Sequence, residues 1–120
     1  MGEAGPDAVA GVVRDLEAWA DRFLQAARAG DAGRAEEAVA GLVDWLGHDL
    51  VDAFLLMDIA TWETLSELAE ELFGILREAR AKMGASPGAP WPDLPAAEAA
   101  IGGLLGRARA IRKARVSRCR

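Results

Sequence analysis

The chain has 120 residues and a mass of 12.7 kDa, which gives one domain and one sizeable core. Ala supplies 26 residues and Leu, Ile, Val and Phe together 28; that composition lies above the disordered range but makes a lean core. Tyr and Asn are absent and Thr occurs twice, so strands have little to use and Asn-Gly hairpins are excluded. Ala, Leu, Glu and Arg dominate, and all favour helix. The net charge of −5 conceals an asymmetry: Arg107 to Arg120 holds seven basic residues and no acid, which leaves −12 on the preceding 106 residues. The body repels nucleic acid and anionic membrane, and only the C-terminal end attracts them.

The fold class this predicts is all-α: a small bundle of four main helices plus a short buried helical segment, with a Pro-rich crossover before the last helix. Residues 1–6 read as a flexible lead. The first helix is expected from Pro6-Asp7, with Asp7 as N-cap, and its stripe is Val9, Val12, Leu16, Trp19, Phe23 and Ala27. Gly30-Asp31 stops it and caps the second helix, at about 32–46, whose inward residues are Ala35, Ala38, Leu42, Trp45 and Leu46. So short a connection makes the two helices antiparallel neighbours. Gly47 reads as a C′ residue and Asp49 as the next N-cap. Leu50 to Met57 is apolar nearly all round, which predicts burial on several sides. A break is expected near 58–61, with Thr61 capping a helix whose stripe is Leu65, Leu68, Leu72, Ile75, Leu76 and Ala79. Residues 85–95 carry Pro87, Pro90, Pro92 and Pro95 around Trp91, too Pro-rich for a helix. The last helix starts near Pro95, a residue suited to a first turn, with Ala97, Ile101, Leu104, Ala108 and Ile111 as its stripe. Residues 114–120 form a basic tail.

The polar residues that carry chemistry are few. Cys119 is the lone cysteine, which excludes an intramolecular disulfide and a Cys-rich zinc site, and it does not stand at a prenylation position. No basic-then-apolar leader opens the chain and no apolar run is long enough to span a bilayer, so the expected location is cytoplasmic. Ser66, Ser86 and Ser117 stand in no nucleophile elbow. Asp44, His48 and Asp52 are spaced by four and would share a face of an unbroken helix as metal ligands, but Gly47 interrupts that helix. No catalytic residue, cofactor or metal site is expected. Trp19, Trp45, Trp62 and Trp91 fall in four different segments and are read as core. Gly102-x-x-x-Gly106 suggests close helix packing, within the chain or across a dimer.

His48 is the phosphoacceptor candidate. Gly47-His48-Asp49-Leu50-Val51-Asp52 resembles the Ala-His-x-Leu-Lys-Gly of histidine-phosphotransfer domains at His48 and Leu50. The assisting Lys is Val51 here, the small residue after it is Asp52, and Asp49 adds repulsion to a phosphate.

The reading that results is a non-enzymatic protein-interaction or assembly module. Its expected partner is another protein or a second copy of itself, because a lean core gains from a partner. The candidate partner-binding residues are the basic Arg107, Arg109, Arg112, Lys113 and Arg115, and the acidic stripe Glu63, Glu67, Glu70 and Glu71. Nucleic acid or an anionic surface enters only through the tail, which lacks an aromatic for base stacking. The alternatives are a phosphorelay protein using His48 and a nucleic-acid accessory protein using the tail.

Overall fold

The computed structural model describes residues 4–83 and 93–118, and the side chains of 8–83 and 93–114. These residues form an all-α bundle: α1 (Ala4–Arg28), α2 (Ala32–Gly47), α3 (Asp49–Ala53), a single 3₁₀ turn (Phe54–Leu56), α4 (Ile59–Lys82) and α5 (Leu94–Arg118). The crossover expected at 85–95, with Trp91, falls mostly on residues 84–92, outside the described ones.

The turn between α1 and α2 shows how sequence sets the antiparallel pairing. Gly30 takes φ 67°, a conformation that costs glycine nothing. Asp31 N–H then donates to Ala26 O (2.9 Å) and Gly30 N–H to Ala27 O (3.1 Å), so two end carbonyls of α1 are satisfied. Asp31 at once caps α2, its carboxylate accepting from the Arg34 N–H at 3.0 Å.

Cross-links tie each helix to its neighbours. The Trp45 indole N–H donates to Asp15 at 2.9 Å, Arg80 pairs with Glu36 at 3.1 Å, Arg107 with Glu71 at 2.5 Å and Arg28 with Glu98 at 2.8 Å. Arg109 pairs with Glu17. Arg80–Glu36 joins the end of α4 to the start of α2, and Arg28–Glu98 and Arg109–Glu17 match falling positions of α1 to rising positions of α5. Glu78 and Lys82 late in α4 line one cavity with Ala96 and Ala97 early in α5. With the short α1–α2 turn, α1–α2, α2–α4, α4–α5 and α5–α1 all run antiparallel. The start of α1, the end of α2, α3, the 3₁₀ turn, the start of α4 and the end of α5 therefore share one pole.

The expected stripes face inward. Leu16, Phe23, Leu42, Leu65, Leu72 and Leu104 are fully buried, and no polar or charged side chain is buried among the described residues. The small residues of α2 let α1 come close. A Cβ placed on Gly41 would stand 2.5 Å from Cζ3 of Trp19, so this glycine makes room for the Trp19 ring. Gly102, Gly103 and Gly106 do not do this: a Cβ on any of them meets nothing within 4 Å. Among the described residues the close packing expected of Gly102-x-x-x-Gly106 is absent, because α5 turns those positions outward.

Several boundaries differ from the sequence reading. α1 begins at Ala4, so residues 4–6 belong to it and Asp7 lies within its first two turns rather than capping it. Pro6 is tolerated there because the first N–H groups of a helix have no intrahelical acceptor. Gly47 is the last residue of α2 rather than its C′ residue; His48 stands between α2 and α3, and Asp49 is the first residue of α3. The cap of α4 is Asp58, not Thr61: Asp58 is extended (φ −69°, ψ 153°) and accepts from the Thr61 N–H at 3.0 Å. The Thr61 hydroxyl donates to the same carboxylate at 2.9 Å, and a carboxylate is the stronger acceptor at a helix N-terminus. α5 starts at Leu94 with Pro95 in its first turn and continues through Arg118, so the first residues of the basic tail extend the helix.

Candidate interaction surface

The segment expected to be a short buried helix forms, but most of it is not buried. In α3 only Leu50 and Ala53 are enclosed. Ala53 is followed by the 3₁₀ turn and then by Met57 at φ −150°, ψ 169°, which carries the chain sideways to the cap of α4. Five residues of α3 offer one inward edge, at i and i+3; among the described residues no second element covers the remaining apolar ones. Val51 is 53% exposed, Phe54 38%, Leu55 84%, Leu56 50% and Ile59 60%.

The surface is anchored from below. The Trp62 indole N–H donates to the Leu50 carbonyl at 2.8 Å, tying α4 to α3. Phe54 meets the Trp62 ring edge to face, with centroids 5.0 Å apart at 83°, a favoured aromatic geometry. Leu55 and Leu56 thus project from a turn held at both sides.

Along the sequence, the charge flanking it is of one sign. Between Arg34 and Arg77 the chain has ten carboxylates and no Lys or Arg, and the apolar segment lies in the middle of that stretch. Asp49, Asp52, Asp58 and Glu63 are interleaved with or adjoin the apolar residues, and all are exposed.

Between Arg34 and Arg77 in the sequence, His48 is the one cation-capable side chain. Its ring Nδ1–H donates to the Asp44 carbonyl at 2.9 Å and lies 3.6 Å from the Asp44 carboxylate. The backbone hydrogen bond first, and then the Asp44 charge, raise its pKa above the usual 6.5; Asp49 and Asp52 act the same way. Three carboxylates around this exposed imidazole repel an approaching phosphoryl group. The helix also breaks at His48, so Asp44, His48 and Asp52 do not line up on one face. Among the described residues no group of three His, Cys, Asp or Glu side chains stands close enough to hold a metal ion.

The structure divides the partner-binding residues expected from sequence. Arg107 and Glu71 come together, as an ion pair of α5 with α4, and Arg109 pairs with Glu17 of α1; both arginines fasten α5 to its own bundle. Glu63, Glu67 and Glu70 are exposed along α4, with no ion pair among the described residues. Arg112 is half-buried and Lys113 exposed toward the end of α5, while the Arg115 side chain lies outside the described ones. Sequence reasoning passed over Val51, Phe54, Leu55, Leu56 and Ile59 as a surface. The available signal was Asp52 and Asp58 within the apolar run, carboxylates that a fully enclosed segment would have to leave unpaired.

No family model, no curated protein and no solved structure matches the chain. No described helix is long and apolar enough to cross a membrane.

Proposed function

We propose that this protein is a non-enzymatic protein–protein interaction or assembly module, and that its docking surface is the turn from Val51 to Ile59. One observation carries the reading. Among the described residues every large hydrophobic side chain that is exposed falls between Val43 and Ile59. Scattered exposed leucines are ordinary, but a concentrated apolar patch rimmed by polar residues marks an interaction site. Enclosing a Leu side chain fully is worth about 1.5–3 kcal/mol, so Leu55 and Leu56 are the natural anchors.

The test is site-specific photo-crosslinking in cells expressing the full chain. A photoreactive residue at position 55 should give discrete adducts, and the same residue at exposed Glu78, toward the far end of α4, should give few. Equal labelling from both positions, or none from either, overturns the reading.

A further inference from the structure

We infer that the occupant of this surface is a second copy of the chain, docked pole to pole about a two-fold axis, with the basic end of each α5 set against the carboxylates of the other copy. The inference rests on the reading above and names the partner. Three observations lead to it.

The first is charge. A simple face-to-face contact of two copies would set Asp49, Asp52, Asp58 and Glu63 against themselves, and like charges brought together are disfavoured. An occupant must therefore bring cations as well as apolar surface. Arg107 to Arg120 carries seven basic residues and no acid. Arg107 and Arg109 are paired within their own bundle, which leaves Arg112, Lys113, Arg115, Arg118 and Arg120 to offer, whereas the stretch holding the patch carries ten acids and no Lys or Arg.

The second is position. The antiparallel order fixed by the Arg28–Glu98 and Arg109–Glu17 pairs brings the end of α5 to the same pole as α3 and the 3₁₀ turn. Within one molecule α5 packs chiefly on α1 and α4. The two complementary regions are thus neighbours at one pole, and a two-fold axis at that pole makes each meet its counterpart on the other copy. Such a contact is used twice and closes, with no open chain of copies.

The third is size. The bundle measures 52 × 24 × 17 Å, so an end-on contact uses its smallest face, whereas a standard stable interface takes roughly 800 Å² of accessible surface from each partner. The dimer is accordingly weak. Its Leu55 and Leu56 core supplies adhesion, and the exposed Arg and Lys contacts, each worth about 0–1 kcal/mol and screened by salt, decide whether it forms. A basic helix from an unrelated protein would satisfy the same chemistry and is distinguished below.

The experiment is sedimentation equilibrium of the full chain up to millimolar concentration, at about 0.05 M and about 0.5 M salt. The expected result is a reversible monomer–dimer equilibrium, weakened at least about tenfold by the higher salt. Leu55→Ser with Leu56→Ser should weaken it at least about tenfold, with helical circular dichroism unchanged because both side chains are exposed. Removing Ala114–Arg120 should weaken it at low salt and have much less effect at high salt. Lys113→Glu, which leaves the helix intact, should do the same and guards against a truncation that unfolds. A strict monomer at all concentrations overturns the inference, as does a dimer indifferent to the Leu pair or to both tail variants. Position-55 adducts of a mass other than twice the chain would overturn the second copy while leaving the interaction reading standing.

Discussion

Replacing Gly41 by Ala sets two opposed effects against each other, and the structure says which wins. In a helix interior Ala is favoured over Gly by about 0.8–1.0 kcal/mol. At Gly41 the new methyl would stand 2.5 Å from Cζ3 and 2.6 Å from Cη2 of Trp19, well inside contact distance. The Trp19 ring packs against the core and carries the Arg22 guanidinium 4.7 Å from its centroid, so it must tilt and give up contacts. Overpacking of this kind costs about 1–3 kcal/mol. The net expectation is a loss of up to about 2 kcal/mol. Gly74 supplies the control within the same fold: it is helical, exposed and has nothing within 4 Å of a Cβ, so Gly74→Ala should gain about 0.5–1 kcal/mol. Urea unfolding followed by circular dichroism measures both, with the slope against denaturant checked for constancy. Trp19→Leu in the Gly41→Ala background should recover part of the loss, a coupling that a double-mutant cycle isolates. If Gly41→Ala proves as stabilising as Gly74→Ala, the close approach of α1 and α2 through Trp19 is wrong.

Asp58→Ala should lower stability by about 0.5–2 kcal/mol, and Asp58→Ser should restore most of it, because the carboxylate caps α4 through Thr61; equal losses in chemical denaturation would refute the cap. Trp62→Phe leaves the Leu50 carbonyl without its indole donor and should cost about 1–3 kcal/mol, with hydrogen exchange rising first in α3. His48 should titrate by NMR with a midpoint above 6.5, and Asp44→Asn should lower that midpoint only in part, since the backbone bond to residue 44 remains. A folded-state pKa raised above the unfolded value gives stability that is fully present below the unfolded pKa and lost as pH rises through the folded one. Unfolding across pH 6 to 8 should therefore show a small loss that His48→Ala abolishes. Arg107→Gln should cost no more than about 1 kcal/mol, because its pair with Glu71 is exposed on both sides; a much larger loss in thermal unfolding would show that the pair organises α5.

Helix identity and inward faces were legible in the sequence because they depend on local terms: the propensity of Ala, Leu, Glu and Arg, and apolar residues recurring at three and four. Val9, Leu16 and Phe23 in α1, or Leu65, Leu72 and Leu76 in α4, leave only one stripe to bury. The Gly30-Asp31 turn was legible for the same reason, since a positive φ and a side-chain cap are both written into two residues. Periodicity carries no information where every side of a segment is apolar. Leu50 to Met57 has that character, and whether it lies inside or outside depends on how many elements surround it. Only the tertiary structure decides that: α1 and α2 pack on α3, where Leu50 and Ala53 are buried, Trp62 takes Phe54, and among the described residues Leu55 stays 84% exposed. The charge asymmetry was equally plain in sequence, but its geometry was not. That Arg107 and Arg109 fasten α5 to its own bundle, while the end of α5 shares a pole with the acidic apolar turn, follows from the antiparallel order of four helices. Such an order is set by contacts between residues as much as 92 positions apart, a separation at which local pattern is silent.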